Sequence, residues 1–71
     1  MVDLMKITGA DRVKIKDTDG NIYEGNVLII WNAEDTEEEF DSIDIEDEGF
    51  IYGFYSKDIE WIIDISSKKD T

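Results

Sequence analysis

The stretch that decides the fold is "VKIKDTDGNIYEGNVLII", residues 13–30. Val13 and Ile15 alternate with Lys14 and Lys16, the period-two pattern of a strand with one face covered. Asp19-Gly20 then supplies a tight hairpin turn, and Asn21 beside them also tolerates positive φ. Beyond it, "NIYEGNVLIIW" (residues 21–31) reads as a longer strand. Tyr23, Gly25, Val27, Ile29 and Trp31 fall on one face, and Ile22, Glu24, Asn26, Leu28 and Ile30 on the other. Gly25 removes a side chain where a small sheet must bend, so a bulge or coil is expected there. The second half of this strand is apolar on both faces and needs cover from another layer or another subunit.

Upstream, "DLMKITG" (residues 3–9) reads as a short helix, with Asp3 as N-cap, Leu4 and Ile7 on one face and Gly9 as the stop. Downstream, "NAEDTEEEFD" reads as a loop and "FDSIDIE" as a strand alternating Ile43 and Ile45 with Ser42, Asp44 and Glu46. "DEG" (residues 47–49) is the next turn. "FIYGFY" and "IEWIIDI" supply two last strands, joined through "SKD" by a single 3₁₀ turn. Phe50, Tyr52 and Phe54 share one strand face, and Ile51 and Tyr55 the other. The expectation is all-β: a short N-terminal helix and five strands closed into one strongly bent barrel over residues 1–65, with residues 66–71 a solvated, frayed tail.

The same span resembles the first motif of the Sm-like (LSm) family. The resemblance is carried by the apolar pair Val13 and Ile15, the turn at Asp19 and Gly20, Ile22 and Tyr23, and Gly25 followed by Val27. "YGFYSKDIEWIIDI" resembles the second motif, with Gly53 at its glycine. The likeness extends over roughly residues 3–65, and its "DG…G" pattern also occurs in other SH3-like barrels. It implies a five-stranded barrel with an N-terminal helix, in a family whose members often assemble into rings through their edge strands. The family's RNA pocket does not carry over: Trp31 stands where an aspartate is usual, Asp35 in place of the base-contacting asparagine, and Tyr52 in place of the arginine before the glycine.

Composition excludes several classes of chemistry. The chain has 71 residues, no cysteine and no histidine, so it has no disulfide framework, no zinc-thiolate site, no thiol nucleophile and no imidazole base. A domain this small buries only about 60% of the surface its unfolded chain exposes and has no room for a deep cleft. Paired carboxylates are plentiful, but no predicted cleft would set one pKa against another. No enzyme activity and no cofactor are expected. The N-terminal residues show no secretion signal and no apolar run is long enough to span a bilayer, so the expected location is cytoplasmic.

Two stretches suggest calcium loops because oxygen-bearing residues occupy alternate positions. From Asp17, position six is Ile22 and position twelve Leu28, where a glycine and a bidentate glutamate are required. From Asp44, Glu46, Glu48 and Gly49 fit, but position twelve is Tyr55. No metal is expected at either.

The net charge is −12 and unevenly distributed. Residues 17–64 hold sixteen acids against the single base Lys57, whereas Lys6, Arg12, Lys14 and Lys16 give the first sixteen residues a basic balance. Glu34, Asp35, Glu37, Glu38, Glu39, Asp41, Asp44, Glu46, Asp47 and Glu48 place ten carboxylates in fifteen residues without one base. A solvated, solubilising loop is the plain explanation, yet solubility needs a net charge of only about 2–8, and crowded like charges oppose compaction. The excess points to a basic protein surface as partner, with these ten residues as its contact and Phe40 and Phe50 beside them. Direct nucleic-acid binding and membrane association are disfavoured by charge. The expected function is a non-catalytic acidic module that engages a basic, nucleic-acid-binding protein by imitating nucleic acid. That role suits small inhibitors carried by phages and mobile elements, anti-CRISPR proteins among them. The alternatives are a ring-forming Sm-like homo-oligomer acting as a scaffold, with Leu28, Ile30, Ile51 and Tyr55 at its hydrophobic interface, and an RNA-binding Sm-like protein.

Overall fold

The computed structural model describes residues 1–66. Its five strands are β1 (Arg12–Asp17), β2 (Ile22–Trp31), β3 (Ser42–Asp47), β4 (Phe50–Tyr55) and β5 (Ile59–Asp64). They form one antiparallel sheet in the order β4-β3-β2-β1-β5. The fold is all-β and compatible with a small barrel-like architecture, but the sheet is not closed. β4 and β5 are its two edges, and they meet at a corner, the 3₁₀ turn Ser56–Asp58, instead of running side by side. That corner is pinned by two backbone bonds, from Ser56 N–H to the Asp41 carbonyl (2.8 Å) and from Thr18 N–H to the Asp58 carbonyl (3.0 Å).

The N-terminal helix is a single 3₁₀ turn, Leu4–Ile7. Asp3 caps it, its carboxylate accepting from Met5 N–H at 3.1 Å, but four residues cannot nucleate an α-helix against the cost of the first turn. The turn still places Leu4 in the core.

The long β2 makes the bend. Its first half pairs with β1 and its second with β3, and Asn26 is the residue shared by both ladders. At Gly25 a Cβ would sit 2.8 Å from the Glu46 carbonyl oxygen, so the two backbones approach as closely as they do only because no side chain is present. The sheet curls until Tyr23 on β2 meets Tyr52 and Phe54 on β4, with ring centroids 5.4 and 5.0 Å away. Val13, Ile15, Ile43 and Ile45, the alternating residues of β1 and β3, are fully buried together with Leu4.

The strand faces expected for β2 hold only up to Val27. A bulge between Val27 and Ile29 shifts the register by one residue, which exchanges the two faces. Ile30 therefore turns inward and packs on the core, while Leu28 and Ile29 are exposed. The placement of Leu28 and Ile30 on one strand face is corrected accordingly.

The expected loop after β2 contains one helical turn, α1 (Ala33–Thr36). Asn32 caps it, accepting from Glu34 N–H at 2.8 Å, and Asp41 accepts from Ala33 N–H at 2.7 Å. Glu34 and Asp35 sit in its first turn, where the helix dipole favours acids. The β3–β4 hairpin turns through Glu48 and Gly49, both at positive φ (53° and 89°), the primed geometry that matches strand twist. In the β1–β2 turn only Gly20 has positive φ; Asp19 and Asn21 do not. Ser66 is held to the start of β1, its hydroxyl accepting from Asp11 N–H (2.7 Å) and Arg12 N–H (3.2 Å). The rest of the expected tail, residues 67–71, lies outside the described residues.

Candidate functional site

The outer face of β2, β3 and β4 is fixed by register. Ile43 and Ile45 point inward, so Ser42, Asp44 and Glu46 form the outward column of β3. Trp31 and Tyr55 both pair with Ser42; Ile29 and Gly53 pair with or flank Asp44; Asn26 and Ile51 pair with Glu46. A polar column carrying two carboxylates thus runs between two largely apolar ones. The flanks are open to solvent: Leu28 is 52% exposed, Ile51 66%, and Trp31 and Tyr55 each 41%.

The upper end of this face is a groove of about 400 Å³ lined by Trp31, Glu38, Ser42, Asp44, Gly53 and Tyr55 among others. The indole N–H of Trp31 donates to Asp44 Oδ2 (3.4 Å) and the Tyr55 hydroxyl donates to Glu38 Oε1 (3.2 Å). The hydrogen bond to Glu38, reinforced by its charge, raises the pKa of the Tyr55 phenol. Gly53 leaves the floor open, since a Cβ there would lie 2.9 Å from Asp44 Oδ1.

At the lower end a polar row crosses three strands. Arg12 donates to Asn26 Oδ1 (3.1 Å), Asn26 donates to Glu46 Oε1 (3.3 Å), and Gly49 N–H donates to Glu46 Oε2 (2.9 Å). The Gly49 amide first, then the Asn26 amide, hold the Glu46 carboxyl below its ordinary pKa.

The ten acids of residues 34–48 therefore divide. Asp41 caps α1, Glu38 and Asp44 line the groove, Glu46 anchors the hairpin, and Asp47 lies 3.9 Å from Arg12. Glu34, Asp35, Glu37, Glu39 and Glu48 form no side-chain hydrogen bond or ion pair among the described residues. Glu37, just after α1, and Glu48, in the hairpin, hold left-handed backbone conformations (φ 58° and 53°). Three of the four N-terminal bases are paired internally: Arg12 and Lys14 with Glu24, and Lys16 with Glu60. Lys57 pairs with Asp58 at 3.1 Å and lies over the Phe40 ring.

In the β1–β2 turn the Asp17 carboxylate is likewise engaged locally. Asp17 Oδ1 accepts from the backbone N–H groups of Asp19 (3.0 Å) and Asn21 (2.9 Å), an Asx-type turn. Among the described residues no three carboxylates are grouped closely enough to hold a metal ion, and no helix is long and apolar enough to cross a membrane.

Trp31, Ser42 and Gly53 are the members of this face that the sequence does not mark as a site. They are far apart in the chain, and only the pairing of β2 and β4 with β3 brings them together. No protein-family model, curated protein or solved structure matches this chain significantly.

Proposed function

We propose that this protein is a non-catalytic acidic binding module whose partner is a basic, nucleic-acid-binding protein, engaged through the surface such a protein otherwise offers to DNA or RNA. The observation that carries this reading is the imbalance left after internal pairing. Four of the five side-chain cations in residues 1–66 are neutralised by ion pairs within 4.0 Å, whereas five acids of residues 34–48 have no side-chain partner among the described residues and sit at the α1 end and the β3–β4 hairpin. A surface of that sign accelerates encounter with basic proteins and repels phosphate backbones. The Sm-like reading of the fold belongs to the same proposal: the five-stranded antiparallel sheet, the glycine at the bend and the 3₁₀ corner support it, while the RNA-pocket positions do not favour an RNA ligand. Inhibitors carried by phages and other mobile elements are the class this design suits.

The test is capture of basic proteins on the immobilised chain, followed by competition with double-stranded DNA. The reading requires that DNA displaces what is captured, and that capture is lost when Glu34, Glu37, Glu39 and Glu48 become Gln and Asp35 becomes Asn. Capture that resists DNA, or that survives those substitutions, overturns it.

A further inference from the structure

We propose that the groove between Trp31 and Tyr55 receives the side chain of an arginine presented by the basic partner. This rests on the acidic-module reading and names what one part of the surface recognises. Trp31 and Tyr55 are both paired with Ser42, so their backbones stand two strand spacings apart, roughly 10 Å. The intervening floor is made of the small residues Ser42 and Gly53, which leaves a slot about 400 Å³ in volume instead of a flat sheet surface.

The walls and floor have complementary chemistries. Indole and phenol offer aromatic faces that attract a planar cation. Asp44 and Glu38 each have one carboxylate oxygen engaged by a wall residue, Trp31 and Tyr55 respectively. Asp44 Oδ1 and Glu38 Oε2 accept no hydrogen bond from the described residues, so each can take a guanidinium N–H. Among the described residues no base lines the groove; the nearest cation by chain position, Lys57, is held by Asp58. Charge therefore decides the occupant: an acidic or neutral side chain would leave two carboxylates uncompensated, and a guanidinium satisfies both while its alkyl stem covers exposed aromatic surface.

The experiment is a titration of the ¹⁵N-labelled protein with the peptide acetyl-Gly-Arg-Gly-amide and with its citrulline counterpart, which keeps the shape and loses the charge. Saturable shifts of the Trp31 indole N–H and the Gly53 amide with the arginine peptide, absent with citrulline, are the expected result. Asp44→Asn, which can still accept from Trp31, should weaken binding about tenfold. Gly53→Ala, which crowds the Asp44 carboxylate, should do the same in a protein with an undisturbed spectrum. Shifts confined to the amides of residues 34–37 and Glu48 would overturn the groove while leaving the acidic module intact. Equal response to citrulline would overturn it too. Failure of DNA-displaceable capture, with the groove shifts present, would overturn the nucleic-acid-mimic reading instead.

Discussion

The Tyr55 hydroxyl donates a hydrogen bond of 3.2 Å to Glu38 Oε1, joining the end of edge strand β4 to the segment that follows α1. This contact ties the most acidic stretch of the chain to the sheet, and it has a titration signature. Donation to a carboxylate favours the protonated phenol, and the Glu38 charge acts in the same direction. A group whose folded pKa is raised contributes stability that is fully present below its unfolded value, about 10, and is lost as pH rises through the folded value. We expect one of the three tyrosines to ionise above the usual range in an absorbance titration. In Glu38→Gln, which keeps an acceptor but removes the charge, that ionisation should move back down. An unchanged titration would mean the bond is not formed in solution.

The bend at Gly25 predicts an asymmetry between glycines. A Cβ at Gly25 meets backbone, the Glu46 carbonyl oxygen at 2.8 Å, which cannot move without disturbing the ladder. Gly25→Ala should cost about 1–3 kcal/mol, a large share of the roughly 4–10 kcal/mol a chain of this length is worth. At Gly53 the obstacle is the end of the Asp44 side chain, so Gly53→Ala should change stability by less than about 1 kcal/mol. Urea denaturation of the two variants compares them directly, and equal costs would contradict the close approach.

The bulge after Val27 can be tested the same way. Ile30 packs on the core and Leu28 is exposed. Ile30→Ala should lose about 1–2 kcal/mol, less than a fully buried isoleucine would, while Leu28→Ala should fall within about 0.5 kcal/mol of the parent. The reverse order would place the strand in the unbulged register.

Glu46 predicts the acid side of the stability profile. Its folded pKa lies below the ordinary value of 4.5, chiefly through the Gly49 amide and then Asn26. Stability from a group of this kind is fully present above its unfolded value and lost as pH falls through the folded one. Denaturation midpoints measured downward from pH 4.5 should therefore drop more steeply for the parent than for Glu46→Gln. Parallel profiles would remove the hairpin anchor.

Much of the fold is legible in the residues themselves, and the limits are physical. Val13, Ile15, Ile43 and Ile45 are read correctly as core because a period of two with one apolar face admits one orientation. The Ser-Lys-Asp link is read correctly as a 3₁₀ turn because three residues leave little else. The outer half of β2 is not legible, because Val27, Leu28, Ile29 and Ile30 are all apolar and their pattern cannot locate a bulge. Closure of the barrel is not legible either, since whether β4 and β5 pair depends on the angle at their corner. The turn α1 did leave a signal, an Asn32 cap followed by Glu34 and Asp35, hidden within a run that reads as charge alone. The groove was legible only in part: Glu38, Asp44 and Tyr55 stand among the candidate contacts, whereas Trp31 and Gly53 join them only through the register of β3.

The most direct test of the central claim is the salt dependence of affinity for a captured basic partner, measured for the parent and for the variant in which Glu34, Glu37, Glu39 and Glu48 are Gln and Asp35 is Asn. The parent's Kd should rise steeply with salt, and the variant should bind at least about tenfold more weakly at low salt with a shallower slope. Equal affinity and equal slope in the two proteins would contradict it.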